Sequence, residues 1–315
     1  MIKEFCAQHQ LYYQKKTTLS KLTTFRIGGP AQGLIWTQTS DQMLKTIEGC
    51  NHLKIPFYVL GWGSNILVSD DGLDCLVIKY ATSSFNLEDD QQLIRIDACQ
   101  NLDTFVAYTA RQGSLDATFL SGIPGTIGGA IVGNAGAFGR QIGDILFDAT
   151  VQTKKGEIKT LPPSAFDFQY RSSSLKTSGD VALWVRFKKN PCRPADLQKQ
   201  RDKILFLRRQ KHPDLHLTPS AGSFFKNIEP SSNAGRRQAA GWFLEKAGVK
   251  NLHVGDAVVF KKHANIIINQ GSATAKDVLQ LSEHMAQSVK NKFNIILQPE
   301  VHLLGPFKTS SVNQI

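Results

Sequence analysis

No CxxC pair occurs in this chain. Its five cysteines, Cys6, Cys50, Cys75, Cys99 and Cys192, lie far apart, so neither a zinc site nor a disulfide framework is indicated and no metal is expected. The thiols read as reduced and structural. Nor does any apolar run reach the roughly 20 residues a membrane helix needs. The opening MIKEFCAQHQLYYQKK lacks the apolar centre of a signal peptide, so no membrane span is expected and the cytoplasm is the default location. There is no internal repeat and no low-complexity tract. Also missing are the G-x-x-x-x-G-K-[ST] loop of nucleotide triphosphatases and the strand-to-helix G-x-G-x-x-G of dinucleotide folds.

What the chain does hold is an excess of positive charge. Lys and Arg number 37 against 26 Asp and Glu, a formal charge of +11 over 315 residues, which attracts polyanions of any kind. The basic residues are scattered, however. The densest segment, PADLQKQRDKILFLRRQKHP (Pro194 to Pro213), places Leu197, Ile204 and Leu205 at helical spacing with charges around them, the pattern of a solvated helix face. Basic strands interleaved with aromatics, the mark of a nucleic-acid surface, are not evident, and no nucleic-acid partner is expected.

Along the first half, short elements alternate. SDQMLKTIEGCNHLKIP reads as a helix, FYVLG as a strand, LDCLVIKY as another. A second round follows: strand QLIRIDA, the helical NLDTFVAYTARQG, then strands near Leu146 to Thr153 and Val181 to Phe187. Strands and helices mixed at this spacing indicate an α+β sheet domain rather than a bundle. The texture changes at KKNPCRP, a linker near residue 190. Beyond it come the basic helix, a loop around SAGSFFKN, and a helical pattern from Ala273 to Lys292 with Val278, Leu281, Met285 and Val289 as its apolar stripe. The reading is two domains, 1–190 and 191–315.

Two glycine loops stand out. GIPGTIGGAIVGNAGAFG (Gly122 to Gly139) holds seven glycines and almost no charge, yet interleaves Ile123, Ile127, Ile131, Val132 and Phe138. A flexible linker would be rich in Ser, Thr and charge. This stretch reads instead as a buried, folded loop, one whose closely spaced N–H groups suit phosphate. The second loop, LGWGSNILVSDDG (Leu60 to Gly72), lies about 60 residues earlier between two strands. Together they are placed to cradle the two phosphates of one pyrophosphate.

These loops belong to a longer series. TTFRIGGPA (Thr23 to Ala31), GWGSNILVSDDG, GIPGTIGGAIVGNAGAFG, YRSSSLK (Tyr170 to Lys176), AGSFFKN (Ala221 to Asn227), KHANIIIN around His263 and LQPEV (Leu297 to Val301) occur in this order. The series resembles the UDP-N-acetylenolpyruvoylglucosamine reductases over roughly residues 17 to 305. The resemblance implies an α+β fold: a vanillyl-alcohol-oxidase-type (PCMH-type) FAD-binding domain of two subdomains, roughly 1–82 and 83–190, and a C-terminal α/β substrate domain. It implies noncovalent FAD, NADPH as hydride donor, and UDP-N-acetylglucosamine enolpyruvate as the small-molecule substrate, reduced to UDP-N-acetylmuramate for peptidoglycan. Another flavin oxidase or dehydrogenase of the same fold is the alternative.

By the same resemblance Arg171 binds the charge that develops when hydride adds to the enolpyruvyl ether, Ser223 protonates the other carbon, and Glu300 assists there. Isolated, these residues would read as a surface turn, a loop serine and a strand-end carboxylate. Cofactor contacts fall on Arg26, on Gly61, Gly63, Ser64 and Asn65, on Gly122, Ile123, Pro124, Gly125 and Thr126, and on Gly128, Gly129, Asn134, Gly136 and Ala137. Lys226 and Asn227 are expected to hold substrate oxygens. His263 is given no proton-transfer role. Trp62 stands where the family commonly has glycine, and Ile228 where it has proline. After Arg171 the chain reaches a strand quickly, which resembles the short-loop class without a tyrosine-bearing substrate loop.

Overall fold

The computed structural model describes residues 1–229 and 237–307; the end of the expected substrate domain, 308–315, lies outside them. The chain forms two compact units. The first is built from Met1–Lys15, Gly33–Trp62 and Cys75–Arg208, the second from Lys16–Gln32, Gly63–Asp74 and the chain from Arg209 onward.

In the first unit a five-stranded antiparallel sheet runs in the order Ile158–Leu161, Leu146–Gln152, Val181–Lys188, Leu93–Asp97, Leu87–Asp89. Its register follows from alternation. Phe187 faces Ile94 and Val185 faces Ile96 across the pair, and all four side chains are buried, the cross-strand pairing that holds a sheet on its core. A four-stranded sheet orders Tyr12–Thr18, Pro30–Thr37, Leu73–Tyr80 and Phe57–Leu60. There Phe57–Leu60 lies parallel to Leu73–Tyr80, and residues 76–80 are buried without a break, as expected of a strand covered on both faces.

Helix Leu102–Gln112 shows how the sequence sets its own limits. Asn101 accepts the Thr104 N–H at 2.8 Å as the N-cap, and Gly113 ends the helix at φ +66°. Leu102, Phe105, Val106, Thr109 and Ala110 form its buried stripe.

The second unit has its own core, with Phe25, Ile27, Leu67, Phe224, Leu244, Ile267 and Val301 among its members. Its antiparallel sheet orders Ser220–Ser223, Ile266–Asn269, Ala257–Val259 and His253–Val254. Strand Ile66–Val68 pairs in parallel with His302–Leu304. Helix Ala275–Phe293 begins in a capping box of Thr274 and Asp277, and Asp70 accepts the N–H groups of Ala275 and Lys276 at 2.8 and 3.1 Å. Its stripe Val278, Leu281, Met285 and Val289 is buried as the sequence predicts.

The bare stretch at Gly122–Gly139 departs from the expected loop. Its middle is a six-residue helix, Ile127–Val132, with Thr126 as N-cap. Gly128 is tolerated in it because a Cβ there would come within 3.0 Å of the Ala98 Cβ, a contact that no local propensity encodes.

Candidate active site

In the first unit the two glycine loops meet. A side chain on Gly61 would put its Cβ 2.7 Å from Thr126 Oγ1, so only bare backbone fits there. Gly122 and Gly125 stand at φ +69° and +143°, a region that L side chains rarely adopt. The reason for so many glycines is nevertheless not an open row of amides. Gly122 N–H donates to Asp103 at 2.7 Å, those of Ile123, Ile127 and Gly128 donate to the carbonyls of Leu120, Gln100 and Ala98, and that of Gly129 to Thr126 Oγ1 at 3.1 Å. Five amides of the stretch, four of them on residues expected to contact the cofactor, are thus satisfied inside the protein. Close packing accounts for several of the glycines, as at Gly136, where a Cβ would lie 2.2 Å from the Arg140 carbonyl oxygen.

The end of this stretch shapes Arg171. Gln169 and Ser172 pair backbone to backbone, closing a two-residue turn in which Arg171 sits at φ +58°. Positive φ in a residue with a side chain is strained backbone, held in place by its surroundings. Buried Asn134 supplies part of that hold: its amide donates to the Gln169 carbonyl at 2.9 Å and its oxygen accepts the Gly143 N–H at 3.2 Å. The Arg171 guanidinium donates to the Gly136 carbonyl at 2.8 Å and lies over the Tyr170 ring, 4.8 Å from its centroid. Asn134 and Gly136, expected at the cofactor, here buttress the arginine.

In the second unit Ser223 and Glu300 are brought together from distant parts of the chain. Ser223 ends its strand opposite Ile266, after a bulge at Gly222 with φ +79°. One residue on, the Phe224 carbonyl accepts the Glu300 N–H at 2.7 Å, and the Lys226 N–H donates to the Gln298 carbonyl at 2.9 Å. Asn65 joins them, its amide donating to the Glu300 carbonyl at 3.3 Å. Gly63 packs on Thr23 in the same unit, where a Cβ would fall 2.8 Å from the Leu22 carbonyl oxygen. The segments carrying TTFR, GSN, AGSFFKN and QPE therefore converge.

Two residues that sequence reasoning passed over organise this convergence. Asn265, 2% exposed, accepts the Phe225 N–H at 2.9 Å and donates to the Phe225 carbonyl at 2.8 Å. Thr24 Oγ1 donates to the Ser220 carbonyl at 2.8 Å. Neither type of tether leaves a spacing signal in sequence.

Other expected residues have partners of their own. Arg26 donates to the His216 carbonyl at 2.8 Å, and Asn227 accepts the Ala240 N–H at 3.2 Å, at the start of helix Ala240–Lys246. His263 is half-buried: burial lowers its pKa, with Lys211 adding to the effect, and its Nδ1 accepts the Asn265 N–H. Ile228 exchanges two backbone hydrogen bonds with Gln238; proline, the usual residue, has no N–H to donate. Burial pushes the thiols of Cys6, Cys50 and Cys99 up to about 11, 12 and 12, which leaves them unreactive. Among the described residues no group of His, Cys, Asp and Glu is arranged to hold a metal, and no helix is long and apolar enough to cross a membrane.

A family model for an FAD binding domain matches residues 31–162, and one for the C-terminal domain of UDP-N-acetylenolpyruvoylglucosamine reductase matches residues 212–304. The chain is 36% identical to the UDP-N-acetylenolpyruvoylglucosamine reductase of Lachnoclostridium phytofermentans over 291 residues, 91% of each chain. It is 35% identical to that of Acaryochloris marina over 303 residues, 93% of each. The solved reductase of Thermus caldophilus superposes with a TM-score of 0.77 at 29% identity, covering 94% of this chain and all of that one. With an FAD-binding domain followed by that C-terminal domain in one α+β chain, the protein belongs to the UDP-N-acetylenolpyruvoylglucosamine reductase family.

Proposed function

We propose that the protein reduces UDP-N-acetylglucosamine enolpyruvate to UDP-N-acetylmuramate in the cytoplasm, with noncovalent FAD and with NADPH as electron source, in the synthesis of peptidoglycan precursor. The observation that carries this reading is the convergence of Ser223 and Glu300 through the Phe224 carbonyl. It brings together the chain segments that carry a hydroxyl and a carboxylate, the pair a protonation step needs.

The first unit fits FAD on its own geometry: Gly61 approaches Thr126 too closely for any side chain, and Gly122 and Gly125 have positive φ. Those residues would hold it, and its chemistry when bound is donation of hydride to the terminal carbon of the enolpyruvyl ether. Negative charge then spreads into the adjacent carboxylate of the substrate. The Arg171 guanidinium, planar and permanently charged, stabilises that enolate. Its fixed position on the Gly136 carbonyl means that little reorganisation is needed as the charge develops. Ser223 Oγ–H delivers the proton to the neighbouring carbon, and Glu300 assists at that carbon. Lys226 supplies a point charge for the diphosphate and Asn227 the hydrogens of its amide.

One spectrum tests the reading. Purified protein should show bound oxidised flavin, bleached by NADPH and restored by the enolpyruvyl nucleotide, with the colour released to the supernatant on acid precipitation. Colour retained in the pellet would favour a tethered flavin oxidase, and absence of flavin would overturn the proposal.

A further inference from the structure

Strand Leu146–Gln152 enters its sheet through an irregularity. Leu146 faces Phe187 and Asp148 faces Arg186 on the neighbouring strand, which leaves Phe147 as the extra residue of a bulge. A bulge re-aims the side chain it carries, and Phe147 stands 43% exposed. It lines a cleft of about 460 Å3 in the first unit, with Leu115, Ile145 and Leu146 as the rest of an apolar wall. The volume is that of a small-molecule site, roughly 300–1,000 Å3. None of the residues expected at the cofactor, the substrate or the reacting carbons belongs to the lining.

A single exposed phenylalanine needs no explanation; the charges around this one do. Arg140, Lys188, Lys189, Asp116 and Asp144 line the same cleft. Asp116 is committed, since it accepts the Thr118 N–H and hydroxyl at 3.1 and 2.6 Å and pairs with Arg140. Lys189 pairs with Asp89, which is not in the lining. Arg186, over the Phe147 ring at 5.4 Å from its centroid, is held by Asp148. Two charges remain. Lys188 is exposed and has no carboxylate within ion-pair distance among the described residues. Asp144 accepts the Gln141 N–H at 2.9 Å through Oδ2 and keeps its other oxygen for a further donor. Arg140 adds donors, because the Asp116 carboxylate and carbonyl occupy only two of its N–H groups.

A ligand with one charge gains at one end of such a cleft and loses at the other, since an anion meets Asp144 and a cation meets Lys188 and Arg140. A molecule that carries both charges on an apolar body answers the whole lining. We infer that this cleft binds a free amino acid with a large apolar side chain, its carboxylate toward Lys188 and the spare Arg140 donors, its ammonium toward Asp144 and its side chain against Phe147. The site is independent of the function proposed above.

The test titrates the full chain with three probes, reading dissociation constants by ligand-observed NMR. L-phenylalanine carries both charges, N-acetyl-L-phenylalanine only the carboxylate, and L-phenylalaninamide only the ammonium. L-phenylalanine should bind saturably, and each derivative should bind about three-fold or more weakly, the scale of one partly exposed ion pair. Asp144→Asn removes one charge while keeping an acceptor for the Gln141 N–H, and Lys188→Gln removes the other. Each should weaken L-phenylalanine by about three-fold or more. The derivatives separate the two variants: the amide should lose affinity in Asp144→Asn and not in Lys188→Gln, and the acetyl compound the reverse. A merely structural role would move all three probes alike, and that result would overturn the inference. So would no saturation by about 10 mM L-phenylalanine, or smaller losses than these in both variants. Should Asp144→Asn fail to fold, Lys188→Gln, at an exposed side chain, decides alone.

Discussion

Ser223 and Asn265 act on the same short segment of chain in different ways, and substitution separates them. If the Ser223 hydroxyl supplies only the second proton, Ser223→Ala should leave reduction of the flavin by NADPH near its normal rate, because that half-reaction involves no substrate protonation. Reoxidation by the enolpyruvyl nucleotide should fall by about 10²-fold or more, the usual cost of losing a positioned acid. Rapid mixing of each half-reaction separately reads this, and equal slowing of both would make Ser223 structural. Asn265 instead satisfies both backbone groups of Phe225. Asn265→Ala leaves that N–H and carbonyl buried without partners, for a stability loss of about 2–4 kcal/mol in denaturant unfolding. A loss under about 0.5 kcal/mol, in the range of ordinary surface substitutions, would mean that water or a shifted chain replaces the amide.

At the level of elements, glycine decides where the two loops of the first unit can touch. Gly61→Val would push a branched side chain against Thr126 Oγ1, which caps helix Ile127–Val132 through the Gly129 N–H. The expected outcome is loss of stoichiometric flavin from the purified protein with little change in far-ultraviolet circular dichroism. Flavin retained in full would remove this approach from the cofactor site. The long helices were legible beforehand, because caps and stripes are local: Asn101 with Gly113, Thr274 with Asp277, and Val278 through Val289 are all written within one helical segment. The short helix at Ile127 was not, since Gly128 is acceptable only against Ala98. The Ser223 and Glu300 pairing was legible only as motif order, because the Glu300 N–H to Phe224 carbonyl bond that joins them is a tertiary contact.

For the molecule as a whole, the formal charge of +11 bears on how anionic ligands arrive. The proposed substrate carries a diphosphate and a carboxylate, and NADPH is more highly charged still, so both should be drawn in by a long-range positive field. Raising ionic strength from about 0.01 to 0.15 M shortens the Debye length from about 30 to about 8 Å. Attraction acting beyond that range is then screened, while a direct contact of the kind proposed between Arg171 and the enolate is affected far less. The expectation is a fall of about three- to ten-fold in kcat/KM for both ligands with kcat nearly constant. Steady-state kinetics at fixed pH across a potassium chloride series measures it. A nucleic-acid-binding protein would behave otherwise, its affinity for duplex or single strand falling with a logarithmic slope set by the several phosphates it neutralises. If kcat falls with salt as steeply as kcat/KM, the charge is acting on the chemistry and not on encounter, and the scattered basic surface has no part in steering.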